Sequence, residues 1–316
     1  MKKIGEVIIQ QISSELNNNS PFISYIAPLK EIAAYESLWN RDKSSVKSLA
    51  HLFARSSGLR PSDLVDDKEL QEFYSHSQLF SNDFLKTMKM DILIPSMVDY
   101  PKRLRDAKDP VELLYYQGNL NLLETRSVAV IGTRNPTKDG LTRTRKLVKL
   151  LLDDKFTIVS GLAKGIDTQA HQTAIQNGGN TIAVIGTPLN HYYPRENREL
   201  QQFIAKEHLL VSQVPFWKYE NQSYKLNRFF FTERNKTMSA LSDATVIVEA
   251  NEKSGTLVQA RAAIDQNRKL FILNNNFENT KITWPRKLEE KGAIKVREYK
   301  DIQCILKSFP KKLIKY

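Results

Sequence analysis

The sequence predicts an α/β protein organised on a doubly wound, mostly parallel sheet, with a small helical domain at its N-terminus. Three observations carry this. Ser127 to Ile131, Thr157 to Ser160 and Thr181 to Ile185 are β-branched runs of strand length, separated by segments long enough for a helix. They are apolar or small almost throughout rather than alternating, the pattern of strands covered on both faces. Each ends in a small, polar or glycine-containing turn, so the rhythm is βαβαβ and a ligand belongs beyond the carboxyl ends of the strands.

The other elements follow in order. Residues 1–90 carry apolar residues at helical spacings, such as Ile4, Val7 and Ile8, then Ile32 and Leu38, then Val46, Leu49, Leu52 and Phe53. Breaks at Asn17 to Pro21 and at Ser56-Ser57-Gly58 divide them into a small helical domain. Residues 91–126 read as a lead-in, with turns at Tyr100-Pro101, Asp109-Pro110 and Gly118-Asn119 and an edge strand over Leu113 to Tyr116. The main domain covers residues 127–303. Within it a helix starts near Glu196; His208 to Val214, Ala244 to Glu249 and Lys269 to Leu273 are strands; Ser254-Gly255-Thr256 opens a helix. Residues 216–236 read as an irregular, basic and aromatic connection, and residues 304–316 as a basic tail.

Length and composition narrow the function classes. At 316 residues the chain can hold two domains, or one α/β domain with an appendage. Its 47 Lys and Arg against 35 Asp and Glu leave a net charge of +12, which favours a polyanionic partner, nucleic acid before an anionic membrane. The single Cys304 cannot close an internal disulfide, and no spacing of Cys and His suits a metal. A reducing cytoplasm is expected, with neither metal nor other cofactor. No apolar run approaches the ~18 residues of a membrane span, and Met1 to Ile9, interrupted by Glu6, is too short for a signal peptide.

Chemistry concentrates at the turns after the first three strands: Gly132-Thr133-Arg134, then Ser160 to Gly165, then Gly186-Thr187. Glycine lets the backbone turn sharply and approach a ligand, while the first N–H groups of the next helix and its dipole point at the same place. Arg134 and Lys164 add full charges, and the arginine fork matches two phosphate oxygens. The three turns together predict a phosphate-binding surface. They carry neither the G-x-G-x-x-G dinucleotide pattern nor the G-x-x-x-x-G-K-[ST] loop.

The motifs in sequence resemble a known family. Tyr100-Pro101, Asp109-Pro110, Gly118-Asn119-Leu120, Val128 to Arg134, Ser160 to Asp167 with His171, Tyr193 to Asn197, Arg234-Asn235-Lys236 and Val248-Glu249-Ala250 with Ser254 to Leu257 are similar to the DNA-processing protein A family (DprA, also called Smf). The likeness extends over about residues 91–303. It implies an extended Rossmann-like domain that binds single-stranded DNA without cutting it, works as a homodimer, and delivers strands to a RecA-type recombinase during transformation. Carried over by position, the nucleic-acid site would comprise Gly132, Thr133, Arg134, Ser160, Gly161, Lys164, Arg234, Asn235 and Lys236, the last standing where arginine is usual. Three departures stand out: Pro188 replaces a glycine, Thr232 a proline, and Asn274-Asn275-Asn276 a Pro-Gly. After Asp301 too little chain remains for the winged-helix module that many members carry.

Strand binding without sequence readout needs π-faces as well as cations. Tyr192 is the leading stacking candidate, with Tyr193 and one of Phe229 or Phe230 behind it; core packing competes for each. His171 follows Asp167 by four residues on a helix, and both read as structural. No catalytic residue is assigned. The competing function is a nucleotide-binding or phosphoribohydrolase-like protein, in a phage-defence or mobile-element setting, with Glu249 before Ser254-Gly255-Thr256 assisting departure of a base from a ribose.

Overall fold

The computed structural model describes residues 26–76 and 87–307. Among these residues three α-helices come first, α1 (Pro28–Asn40), α2 (Val46–Arg55) and α3 (Asp67–His76). Proline in the first turn opens α1, where its missing N–H has no helical partner to lose. Ser45 opens α2 through a reciprocal bond with Ser48. The helices expected around Ile32 and around Val46 to Phe53 are therefore α1 and α2. The helical spacing at Ile4 to Ile8, the break at Asn17 to Pro21 and most of the tail expected at 304–316 lie outside the described residues; residues 304–307 of that tail close a helix, with Leu306 buried.

The α/β region follows as β1 (Asp91–Leu93), β2 (Leu114–Gly118), β3 (Ser127–Ile131), α4 (Lys138–Asp153), β4 (Thr157–Ser160), α5 (Ile166–Gln176), β5 (Thr181–Ile185), α6 (Arg198–Glu207) and β6 (Leu209–Ser212). Then come α7 (Phe216–Asn221), α8 (Tyr224–Leu241), β7 (Ala244–Ile247), α9 (Thr256–Asp265), β8 (Lys269–Leu273), α10 (Asn275–Glu278), α11 (Trp284–Glu289), β9 (Ile294–Val296) and α12 (Tyr299–Lys307). Among the described residues nine strands form one sheet in the order β1-β2-β6-β5-β4-β3-β7-β8-β9. From β6 to β9 every pair is parallel; β2 runs antiparallel to both β6 and β1. The mostly parallel, doubly wound sheet is thus present. The chain steps outward from β3 through β6 and then returns to lay β7 on the other side of β3, which puts the topological switch point between β3 and β7.

Two expectations are corrected. The Leu113 to Tyr116 run is not an edge strand: β2 is paired on both sides, and the short Ile92-containing β1 forms the edge instead. Residues 216–236 are not irregular: α7 and α8 cover nearly all of them. Their period was hidden because the inward stripe of α8 is half polar, with Asn227, Arg234, Thr237 and Ser239 buried beside Phe230, Met238, Ala240 and Leu241.

Side-chain alternation in the strands divides the core. Val128 and Val130 pack with α4, α5 and α12 on one face, while Ala129 and Ile131 pack with α8 and α9 on the other. The N-terminal helices share a third cluster with β1, β2, Phe216 and Phe230. That junction is pinned by Glu36 of α1, fully buried. Its carboxylate accepts from Tyr115 Oη at 2.6 Å, Phe216 N at 2.8 Å and Trp217 N at 3.0 Å. Burial pushes its pKa up to about 7, against the pull of those three donors.

Candidate nucleic-acid interface

Beyond the carboxyl ends of β3, β4, β5 and β7 the connecting turns are tied into one rim. After β3, Thr133 N donates to Glu249 O at 2.7 Å, which joins the turn to the end of β7. Thr133 O accepts from Ile166 N, the first residue of α5. Gly165 precedes that helix at φ +79, and a Cβ there would fall 2.5 Å from Thr133 O, so this turn can close on its neighbour only with glycine. The Tyr193-to-Asn197 loop is clamped on as well: Asn197 Nδ2 donates at 2.8 Å to both Leu162 O and Thr168 Oγ1.

An internal anion organises the rim. Asp167, buried in the first turn of α5, accepts from the backbone N–H groups of Gly161, Ala163 and Gly132. Burial raises its carboxyl pKa to about 6, while Arg234 and those amides pull it down. Arg234 lies beside it, 4% exposed, donating to Gly161 O and, at 2.7 Å, to Val184 O, with Nε on Asn235 Oδ1 at 3.0 Å. Burial lowers the Arg234 pKa to about 10, and Asp167 opposes that shift. Gly161 leaves the space this guanidinium needs, since a Cβ would sit 2.2 Å from Arg234 Nη1.

The residues predicted for the site therefore separate into two layers. Ser160, Gly161 and Arg234 are buried under the rim; the Ser160 hydroxyl donates to Val130 O at 2.7 Å. Asn235 braces the rim from α8, its Nδ2 donating to Gly255 O at 3.2 Å before α9. Gly132 and Thr133 form the turn itself, and the Thr133 hydroxyl accepts from Asn135 N at 3.2 Å. Arg134 stands in the outer layer, exposed, with no hydrogen-bond or ion-pair partner among the described residues. Lys164 is exposed and pairs with exposed Glu196. Lys236 is held by Glu233 at 2.8 Å.

The aromatic candidates separate too. Tyr192 is half-buried, with the Arg198 guanidinium 5.0 Å from its ring centroid and Gln202 Nε2 donating to its hydroxyl at 3.2 Å. Tyr193 packs its ring against Phe231 at 5.1 Å. Phe230 belongs to the core beside Trp39, whereas Phe229 is exposed. His171 is buried, its Nδ1 2.7 Å from Thr181 Oγ1, and burial drives its pKa down to about 3. Arg195, exposed in the same loop as Glu196 and without a partner among the described residues, was not singled out from the sequence; its place inside the Tyr193-to-Asn197 motif was the available signal.

Glu249, at the switch point, is engaged. Its carboxylate accepts from Thr137 N at 3.0 Å and Thr137 Oγ1 at 2.7 Å, and Thr137 in turn caps α4 by accepting from Gly140 N. The asparagines after β8 brace the neighbouring strand end: Asn275 and Asn276 donate to Val248 O, and Asn276 Oδ1 accepts from Ala250 N. Among the described residues no cluster of His, Cys, Asp and Glu could hold a metal ion, and no helix is long and apolar enough to cross a membrane.

Comparison with known proteins adds to this geometry. The family model described as DNA recombination-mediator protein A matches residues 91–307. The chain is 40% identical over 174 residues to the DNA processing protein DprA of Streptococcus pneumoniae, covering 55% of this chain and 59% of that protein. It is 41% identical over 188 residues to the protein Smf of a Synechocystis species, covering 58% of this chain and 46% of that protein. It thus spans about half the length of these two relatives. With DprA of Bacillus subtilis it shares 34% identity over 222 residues, 70% of this chain and 72% of that protein. The X-ray structure of DprA from Streptococcus pneumoniae superposes with a TM-score of 0.64 at 30% identity, over 88% of this chain and 93% of that one. The DNA processing protein A of Helicobacter pylori, whose structure reports a single-stranded DNA binding mode, gives 0.59 at 31% identity, over 70% of this chain and 98% of that one. On its motifs, its sheet order and these matches, the chain belongs to the DNA recombination-mediator protein A family.

Proposed function

We propose that this protein binds single-stranded DNA without reading its sequence, gripping the phosphate backbone at the carboxyl rim of the sheet. The observation that carries the reading is Arg134, an exposed guanidinium at the switch point between β3 and β7 with no partner among the described residues. Arg195 and Lys164 extend the cationic line along the adjacent loops, a phosphate taking the place of Glu196 beside Lys164. Gly132 and Thr133 set the turn that aims Arg134. Ser160, Gly161, Arg234 and Asn235 act from beneath, as the frame that holds the turns together, and Lys236 lies at the margin. Tyr192, steadied by Arg198 and Gln202, offers a face for a base. The likeness to the Helicobacter pylori protein supports the choice of ligand.

On this reading the protein works in the cytoplasm as a homodimer that protects incoming strands during transformation and passes them to a RecA-type recombinase. The base-releasing alternative is less well supported, because its carboxylate, Glu249, already accepts two hydrogen bonds from Thr137. Competition binding tests the assignment: a labelled oligothymidylate should be displaced by unlabelled single strands of any sequence and far less by duplex. Displacement by duplex and single strand alike would overturn it.

A further inference from the structure

We propose that the first turns of α8 form a base-stacking ridge that carries the single strand beyond the sheet rim, with Tyr224 and Phe229 as stacking faces and Lys225 and Arg228 as phosphate contacts; this rests on the single-strand reading above. The helix direction sets the geometry. Its C-terminal end leads into β7 at the amino side of the sheet, so its N-terminal end rises past the carboxyl rim.

Two contacts fix which stripe faces the rim: the Phe231 ring lies 5.1 Å from that of Tyr193, and Asn235 Nδ2 reaches Gly255 O at 3.2 Å. Positions 224, 228, 231 and 235 share that stripe, at spacings of four, three and four. At ~1.5 Å per residue, Arg228 lies about 10 Å and Tyr224 about 16 Å above Asn235 along the axis. Lys225 and Phe229 occupy the adjoining exposed stripe.

The ridge is not a loose end of helix. Asn227 and Phe230, on its other side, are buried, yet Tyr224 is 66% and Phe229 67% exposed. Lys225 and Arg228 have no ion-pair partner among the described residues, and no acidic residue lies between Gln222 and Thr232. Aromatics and arginine are common at the centre of a contact between proteins, but lysine is depleted there; aromatic faces beside two unpaired cations, one of them a lysine, with no acid between them suit a flexible polyanion with stackable bases. The surface is continuous with the rim: Phe231 of the same stripe packs on Tyr193 at 5.1 Å, and Asn227 Nδ2 donates at 2.9 Å to the carbonyl of Tyr219, whose ring packs on His191 at 5.0 Å.

The test titrates the full chain with oligothymidylates of two lengths, one filling the rim alone and one long enough to reach α8. Tyr224→Ala with Phe229→Ala should weaken the long oligomer by about tenfold or more and leave the short one unchanged. Arg228→Ala should act in the same direction, and Arg134→Ala should weaken both lengths. Unchanged affinity of the double variant for the long oligomer overturns the ridge, while Arg134→Ala still reports on the rim separately. A double variant that binds the long oligomer as the parent does but sediments as a smaller species would also overturn it, and would assign the patch to contact between copies of the chain.

Discussion

Arg134 and Arg234 carry the same chemical group to opposite purposes, and burial decides which. Arg234 has its donors spent on Gly161 O, Val184 O and Asn235 and sits beside buried Asp167. Removing it leaves a carboxylate unbalanced in the interior, so Arg234→Ala should cost about 3–5 kcal/mol of stability, read as a fall in denaturant midpoint. An Arg234→Ala protein as stable as its parent would contradict the buried-frame role. Glu249→Gln should lose one of the two Thr137 bonds at the start of α4, roughly 1 kcal/mol by chemical denaturation, and keep its affinity for single strands. A loss of affinity with unchanged stability would return Glu249 to the site. The sequence made Arg134, Lys164 and Arg234 look alike, since a cation after a glycine turn and a cation in a helix motif both suit phosphate. What separated them was depth, which depends on how β4, β5 and α8 converge.

At the scale of elements, the junction of α1 with α7 and β2 depends on one carboxylate. Among the described residues Glu36 faces three donors and no cation within hydrogen-bond reach, so Glu36→Ala leaves buried N–H and O–H groups unpaired and should lower stability by about 2–5 kcal/mol. The pH dependence has a definite sign. Its carboxyl pKa is higher in the folded chain, about 7 against 4.5, so the folded state holds the proton more tightly over that interval. The contribution of Glu36 is full below about 4.5 and is lost as pH rises to about 7; melting curves across this window should fall less steeply for Glu36→Ala than for the parent, and parallel curves would refute the assignment. The strands β3 to β8 were legible because their runs are apolar or small almost throughout, whereas β9, three residues with Lys295 at the centre, was not. The helix α8 was not, because Asn227, Arg234 and Thr237 occupy its inward stripe and mask the period of 3.6. Thr232 belongs to the same account: it stands where the family resemblance expects proline, and α8 runs through it unbroken.

For the whole molecule, a net charge of +12 biases encounter with any polyanion, but a bound state needs cations that are placed and free. Arg134 and Arg195 at the rim, Lys164 once a phosphate displaces Glu196 from it, and Lys225 and Arg228 above are the cations proposed to do this. Each phosphate neutralised on a single strand contributes about −0.7 to the slope of log K against log salt. Five contacts correspond to a slope near −3.5, roughly. The most direct measurement is therefore a salt titration of oligothymidylate binding by the parent and by Arg134→Ala. A steep line is expected for the parent, and for the variant a line about 0.7 shallower and lower by about ten- to a hundredfold at low salt, with the melting temperature unchanged. Two superimposable lines would rule out the rim as the strand's contact.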